Sequence, residues 1–169
     1  MMQKKVCMVG LFATGKTSMV QRFVHSRFSD RYLSTVGVKI DRKEVEVDGA
    51  AVTFMLWDLA GRDGFEDITP SYLRGSHGIL YVADGTRPET WAQLGELSAL
   101  ARDAAGEVPS VLAINKCDLR DQWMLGPADE AALAARWDVV RTSAKTGEGV
   151  EEAFRRLGRG TLARREAGR

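Results

Sequence analysis

A glycine-rich run near the amino terminus constrains the fold of this chain more than any other feature. Residues 10–17 read GLFATGKT and match the phosphate-binding pattern GxxxxGK[ST] in full. A strand-like run at residues 4–9 precedes the match and a helix-compatible segment follows it, which is the context that the pattern requires. The pattern therefore predicts a loop whose backbone N–H groups surround the phosphates of a nucleotide.

Each residue type in this loop has an expected task. Lys16 is expected to reach the β- and γ-phosphate oxygens, and the Thr17 hydroxyl to bind Mg²⁺. Gly10 and Gly15 permit the tight backbone curl. The loop alone does not separate a GTPase from an ATPase or a kinase. We predict nucleotide contacts from Gly10, Leu11, Phe12, Ala13, Thr14, Gly15, Lys16, Thr17 and Ser18.

The segment WDLAG at residues 57–61 predicts the metal side of the site. Asp58 ends a predicted strand, and its carboxylate is expected to hold Mg²⁺ through water, because Mg²⁺ retains part of its hydration shell. Gly61 offers a backbone N–H to the γ-phosphate and permits movement when that phosphate leaves. Thr35 is expected to complete the Mg²⁺ shell only in the triphosphate state. The alternatives are a solvated turn aspartate and an ordinary loop threonine.

Two later segments predict which base is bound. Asn115, Lys116 and Asp118 follow an apolar strand directly in the sequence NKCD. The Asp118 carboxylate can accept from guanine N1–H and the 2-amino group, which adenine does not present. Asn115 is expected to tie this loop to the phosphate loop, and the Lys116 stem to cover the base. The second segment contributes Ser143, Ala144 and Lys145, with the Ala144 N–H expected at guanine O6.

Composition is that of one globular domain. The 169 residues are 44% hydrophobic and 28% charged, with a net charge of +1, so charge gives no reason to expect nucleic-acid binding. The two cysteines lack metal-ligand spacing, and we expect a reducing, cytoplasmic setting. No apolar run approaches membrane-spanning length. The termini predict no signal peptide, myristoyl group or prenyl group.

Strand-like and helix-like segments alternate, which predicts an α/β fold with a mostly parallel sheet. The Asp48-Gly49 pair predicts a tight hairpin and hence one antiparallel pair. Apolar residues change parity along the first hairpin strand, which indicates a bulge or a change of buried face. Thr86 and Glu89 have capping-box spacing before a helix. Trp91, Trp123 and Trp137 are expected to pack in or near the core rather than to contact partners.

These motifs together resemble those of the Ras superfamily of small GTPases, over essentially the whole chain. The sequence is most similar to the Rab branch at residues 35–38, 72–78 and 142–148, whereas the residues of the phosphate loop are more similar to those of the Arf branch. The resemblance implies a P-loop G domain over residues 1–169, with a six-stranded mixed sheet flanked by helices. It also implies that Phe28 packs on guanine, that switch I spans about 28–38, and that switch II spans about 58–75.

Three residues or segments depart from the pattern of that family. Arg62 stands where the family has a water-positioning glutamine, and a guanidinium has donors but no acceptor. Arg62 therefore slows hydrolysis, stabilises γ-phosphate charge in cis as an arginine finger does, or has no chemical role. Phe12 occupies a position that the family often keeps small, and it either obstructs an incoming arginine or packs on switch II. The third departure is the absence of a carboxy-terminal cysteine.

The sequence thus predicts a monomeric Mg²⁺-dependent GTP/GDP switch with slow hydrolysis. Its expected partners are effectors, an exchange factor and a GTPase-activating protein, with membrane attachment only through a partner. The residues expected to act in hydrolysis are Lys16, Thr35, Gly61 and Arg62. The alternative is a scaffold that stays in the GTP state and turns over negligibly. A P-loop kinase or ATPase is disfavoured by Asn115, Lys116 and Asp118.

Overall fold

The computed structural model describes residues 2–29, 37–59 and 70–167, with side chains to residue 164. Of the predicted site residues, Thr35, Gly61 and Arg62 lie outside the described residues, as does most of both predicted switches. The strands are β1 (Met2–Val9), β2 (Val38–Val47), β3 (Ala50–Leu59), β4 (Gly78–Asp84), β5 (Ser110–Asn115) and β6 (Val139–Arg141). The helices are α1 (Lys16–His25), α2 (Pro70–Leu73), α3 (Pro88–Ala92), α4 (Leu94–Ala105), α5 (Pro127–Ala134) and α6 (Val150–Ala167), with a 3-10 turn at Arg120–Gln122.

The six strands form one mixed sheet in the order β2-β3-β1-β4-β5-β6. Strands β2 and β3 pair antiparallel, and the other neighbours pair in parallel. This arrangement confirms the predicted fold. Because the carboxyl ends of the parallel strands lie at one edge, the segments that follow β1, β3, β4 and β5 converge there.

Two hydrophobic clusters cover the two faces of the sheet. Successive residues of β1 alternate between them, with Val6 and Met8 in one cluster and Cys7 and Val9 in the other. The first cluster includes the apolar faces of α1 and α6, where the rings of Phe23 and Phe154 stack at 4.0 Å between centroids. The second cluster includes the apolar face of α4. The period-2 pattern of a strand thus builds a three-layer domain.

The hairpin strand β2 changes its buried face without a bulge. Its register with β3 is continuous from Val38 opposite Leu59 to Val47 opposite Ala50. Val38 packs against the second cluster, whereas Val45 and Val47 pack with the first. Of the two interpretations left open by the sequence, the change of face is the one that the structure shows. The predicted tight turn is present, with positive φ angles of 49° and 83° at Asp48 and Gly49.

The predicted capping box before α3 is wrong. The helix begins at Pro88, its N-cap is Arg87, and no side chain caps it. Thr86 instead donates through its N–H and its hydroxyl to Oδ1 of Asp84, at 2.8 and 2.7 Å. Thr86 binds the buried Asp84 carboxylate rather than the helix end, because its hydroxyl makes a stronger hydrogen bond to a charged acceptor than to a backbone N–H group.

The three tryptophans singled out from the sequence are partly buried. Trp91, Trp123 and Trp137 all pack against the second cluster, as expected. The Trp123 ring lies so close to Gly85 that a Cβ on that glycine would come within 2.0 Å of it. Among residues 2–29, 37–59 and 70–167, the structure has no helix with the length and apolar character needed to cross a membrane.

Candidate nucleotide-binding site

The loop between β1 and α1 has a backbone that only its sequence permits. Gly15 has a φ of 101°, and a Cβ there would lie 2.2 Å from the side-chain nitrogen of Asn115. A Cβ on Gly10 would lie 2.3 Å from the Val82 carbonyl oxygen. Both glycines of the motif are therefore required by close packing, and Gly15 also by its left-handed conformation.

The Lys16 ammonium lies inside the curl of the loop. Its Nζ donates to the carbonyl oxygens of Gly10 at 2.9 Å and Leu11 at 3.0 Å. Burial lowers the pKa of Lys16 to about 8, an effect opposed by the nearby Asp58 carboxylate and reinforced by the charge of Arg87. A buried cation that lacks sufficient negative charge nearby fits a loop built to receive an anion.

On its outer side the loop is held by donors from three different residues. The carbonyls of Phe12, Ala13 and Thr14 are consecutive, and each accepts one hydrogen bond. The donors are Arg87 Nη1 at 2.9 Å, Lys116 Nζ at 3.0 Å and Asn115 Nδ2 at 3.0 Å. Because the C=O and N–H of a trans peptide point in opposite directions, the N–H groups of Ala13, Thr14 and Gly15 are directed away from these three donors.

The predicted metal ligands of the described residues lie together. The Thr17 hydroxyl donates to Oδ2 of Asp58 at 2.6 Å, and Asp58 is only 1% exposed. Hard oxygen donors of this kind are those that Mg²⁺ prefers, and Mg²⁺ is usually bound by one or two protein groups plus substrate phosphates. Residues 2–29, 37–59 and 70–164 hold no cluster of three His, Cys, Asp or Glu side chains suited to a metal. The pair therefore fits Mg²⁺ bound jointly with a nucleotide.

Asn115 connects the phosphate loop to the segment predicted to read the base. Besides its bond to Thr14, its Oδ1 accepts from the Thr142 hydroxyl at 3.1 Å and from the Ala144 N–H at 3.2 Å. The side chain is buried, with 2% of its surface exposed. Because the Ala144 N–H already makes a long bond to Asn115, its predicted contact with guanine O6 requires this donor to be shared or released.

The Asp118 carboxylate is oriented by its neighbour across the site. Its Oδ1 accepts from the Ser143 hydroxyl at 2.8 Å, which fixes the plane of the carboxylate. The same segment is anchored from α1, where Arg22 donates through Nε to the Ala144 carbonyl at 2.8 Å and through Nη2 to the Lys145 carbonyl. The structure therefore brings Asp118, Ser143, Ala144 and Lys145 together at one side of the sheet edge, and their predicted contacts with guanine stay predictions.

Cys117 lies within this segment and its thiol is held protonated. Its Sγ donates to Oε2 of Glu148 at 3.4 Å. Partial burial, the bond to Glu148 and the charges of Glu148 and Asp118 raise the pKa of Cys117 to about 11. The thiol is therefore a weak nucleophile at neutral pH, because the thiolate is the reactive form.

Three residues that hold the site together belong to none of the sequence motifs, and two predicted site residues lie at its margin. These three are Arg22, Asp84 and Arg87. For Asp84, the one sequence hint was a charged residue at the end of a run that reads as a buried strand. Phe28 is half-buried and packs at the edge of the first core cluster, to which Ala144 also belongs. Ser18 is the third residue of α1 and is half-buried.

Comparison with known proteins gives consistent matches over most of the chain. Residues 5–163 match the Ras family. The chain is 37% identical to the GTP-binding protein YPT1 of Saccharomyces cerevisiae over 158 residues, which cover 92% of this chain and 77% of that protein. It is 36% identical to the Ras-related protein RABD2c of Arabidopsis thaliana, over 89% of this chain and 76% of that protein. It is 34% identical to Ras-related protein Rab-1C of Dictyostelium discoideum, over 90% and 78% respectively.

Proposed function

Given that the chain belongs to the Ras superfamily, as a Rab-like small GTPase, we propose which of its residues bind and hydrolyse GTP. Membership supports GTP binding and GTPase activity in general, and Ras and Rab proteins generally bind GTP or GDP with Mg²⁺. The observation that carries the assignment is the set of contacts around the phosphate loop. Three consecutive carbonyls, those of Phe12, Ala13 and Thr14, accept from Arg87, Lys116 and Asn115, which directs the N–H groups of the same peptides away from those donors and toward a bound anion.

The reaction proposed is attack of water on the γ-phosphorus of GTP, with release of phosphate. Lys16 moves from its carbonyl partners to the β- and γ-phosphate oxygens and stabilises the charge that develops there. Thr17 and Asp58 would hold Mg²⁺, together with Thr35, and Mg²⁺ when bound neutralises charge on the β- and γ-phosphates. The Gly61 N–H contacts the γ-phosphate.

Guanine is read by Asp118 in this proposal. The carboxylate accepts from N1–H and the 2-amino group, while Ser143 holds its orientation at 2.8 Å. The Lys116 stem and Phe28 lie against the faces of the base. An adenine nucleotide would cover the half-buried carboxylate without supplying its two donors, which is a large penalty once the base excludes water.

A substitution at Asp118 tests this assignment. Asp118→Asn converts one acceptor oxygen to a donor, so it should exchange guanine preference for xanthine preference, because xanthine presents a carbonyl in place of the 2-amino group. The measurement is competition of GDP and XDP for the purified variant. Ser143→Ala is the matched control, since it removes the donor that holds the carboxylate without changing the two acceptor oxygens of Asp118, and should weaken GDP binding without admitting XDP. A variant that retains guanine selectivity contradicts the role of Asp118.

Hydrolysis is proposed to be slow because Arg62 replaces the glutamine of the family. A guanidinium cannot accept a hydrogen bond from the attacking water. Arg62→Gln should therefore raise the single-turnover rate of hydrolysis, whereas an unchanged rate gives Arg62 no inhibitory part. Arg74→Gln is the matched control, because Arg74 is exposed and accepts a hydrogen bond from Lys5 through its backbone carbonyl, which the substitution keeps. A lowered rate in Arg62→Gln identifies an arginine that acts in cis.

The second candidate is a scaffold held in the GTP state. The sequence features that favour it are Arg62 and the bulky Phe12 in the phosphate loop. Hydrolysis that stays negligible in Arg62→Gln would favour this alternative.

The remaining elements of the proposal concern the setting of the switch. We propose one G domain over residues 1–169, a monomer in the cytoplasm, with switch I at about 28–38 and switch II at about 58–75. GTP orders the switches into a surface for effectors, and an exchange factor and a GTPase-activating protein reset it. Nucleic acid is not among the proposed partners, because the net charge of +1 gives no reason to expect it to bind.

A further inference from the structure

Arg87 contacts the phosphate loop, although it follows β4 and lies 75 residues from its loop partner in sequence. Its Nη1 donates to the Phe12 carbonyl at 2.9 Å, and its Nε donates to the Glu89 carboxylate at 3.1 Å. The side chain is one-third exposed. No motif accounts for this contact.

The backbone of Arg87 is fixed by a turn that also holds Lys116. The Arg87 N–H donates to the Asp84 carbonyl at 3.0 Å, and the Thr90 N–H donates to the Arg87 carbonyl at 3.0 Å. The buried Asp84 carboxylate contacts Lys116 Nζ at 2.8 Å through Oδ2 and holds Thr86 through Oδ1. Arg87 and Lys116 therefore approach adjacent loop carbonyls from one rigid support.

Contacts inside the loop indicate which end of the loop Arg87 holds. The Lys16 ammonium, which reaches the β- and γ-phosphates in such loops, lies against the carbonyls of Gly10 and Leu11. Thr14, toward the other end, is held by Asn115 next to the segment assigned to the base. Phe12 directly follows Leu11, so Arg87 contacts the loop next to the carbonyls that hold Lys16, the residue expected to reach the β- and γ-phosphates.

We propose that Arg87 is a positioning residue for the γ-phosphate. Its bond to the Phe12 carbonyl orients the Phe12–Ala13 peptide so that the Ala13 N–H is directed at the phosphates. A charged donor on a carbonyl also polarises the peptide and strengthens the N–H at its other end. This inference rests on the proposed function, because it presupposes GTP in the loop. Arg87 therefore favours GTP over GDP, which has no γ-phosphate.

The test is the ratio of dissociation rates of fluorescent GTP-analogue and GDP complexes, measured with Mg²⁺. Arg87→Met keeps much of the aliphatic stem and removes both charge and donors, so the GTP-to-GDP ratio of rates should rise about three- to tenfold, as expected for a charged, partly exposed hydrogen bond. Arg87→Lys keeps the charge and one donor and should give an intermediate ratio. Arg102→Met is the control, because that arginine lies on α4 and makes a similar ion pair with Glu107 at 3.3 Å.

A ratio in Arg87→Met within twofold of wild type overturns the proposal, even if both rates rise, because equal effects indicate a merely structural role. A rise in the Arg102→Met ratio equal to that of Arg87→Met also overturns it, since net charge then explains the effect. If Arg87→Met fails to fold, the ratio of Arg87→Lys decides in the same way. Failure of the proposed function is distinguishable, because wild-type protein then forms no complex with either nucleotide.

Discussion

The close contact between Gly15 and Asn115 makes a quantitative prediction about the phosphate loop. Gly15→Ala places a Cβ 2.2 Å from the Asn115 amide nitrogen, and a residue with a side chain must also adopt the φ of 101° found there. The left-handed backbone alone costs about 1–2 kcal/mol. The displaced amide makes three hydrogen bonds, to Thr14, Thr142 and Ala144, each worth about 1 kcal/mol. Gly15→Ala should therefore lower the free energy of unfolding by about 2–5 kcal/mol, according to how many of these bonds break.

A double-mutant cycle separates the two causes. Asn115→Ala alone loses the three hydrogen bonds and should cost about 3 kcal/mol. In that background the added Cβ of Gly15→Ala no longer meets the amide, so the second substitution should cost only the backbone strain of about 1–2 kcal/mol. The cost of Gly15→Ala is thus expected to be smaller in the Asn115→Ala background than in the wild type.

The assay is urea unfolding of the nucleotide-free protein, followed by tryptophan fluorescence and fitted as a two-state transition. Gly49→Ala is the matched control, because Gly49 also has a positive φ of 83° but has open space where a Cβ would lie. That substitution should show backbone strain alone and the same cost in both backgrounds. A cost of Gly15→Ala that is equal in both backgrounds within about 0.5 kcal/mol refutes the packing argument.

Two further predictions concern the hydrogen bonds of Arg22 and of His77. Arg22→Ala removes the donors that hold the Ala144 and Lys145 carbonyls, so it should raise the dissociation rates of GDP and GTP equally, by about tenfold. The control is Arg27→Ala, because the Arg27 guanidinium contacts Gln21 at 3.2 Å instead. A change confined to GTP would contradict the assignment. His77 Nδ1 accepts from the Lys5 N–H at 2.9 Å, and burial with the charges of Lys4 and Lys5 lowers the pKa of His77 below 6.5. The unfolded chain therefore binds the proton first, and stability present above pH 6.5 is lost as pH falls toward the folded pKa. His77→Asn keeps an acceptor that does not titrate and should flatten that loss in urea unfolding across pH. An equal slope in wild type and His77→Asn would contradict this prediction.

The sequence predicted the α/β fold and its one antiparallel pair because the signals for them are local. The phosphate loop, the hairpin turn at Asp48-Gly49 and the apolar faces of β1 and α6 all depend on residues near one another in the chain. The mostly parallel sheet followed from the alternation of strand-like and helix-like segments, and its antiparallel pair followed from the hairpin turn. The described site residues, including Thr17, Asp58 and Asn115, lie where strand ends of a parallel sheet are expected to meet.

Contacts between distant segments could not be predicted in the same way. Thr86 has perfect capping-box spacing with Glu89, yet the Asp84 carboxylate binds it, because a buried charge requires donors more strongly than a helix end does. Similarly, the parity change in β2 had two explanations until the register with β3 was known. No sequence pattern pointed to Arg87, because its hydrogen bond to the Phe12 carbonyl joins residues that are 75 positions apart and meet only in the folded protein.

The central claim is that this loop and its base-reading segment bind a guanine nucleotide. The most direct measurement is to purify the protein without added nucleotide, denature it, and identify the released nucleotide by ion-pair chromatography. The account predicts a guanine nucleotide in near-stoichiometric amount, with GDP indicating turnover and GTP indicating hydrolysis stalled in the absence of a partner. Release of an adenine nucleotide, or protein that binds neither GDP nor GTP when these are supplied with Mg²⁺, would contradict it.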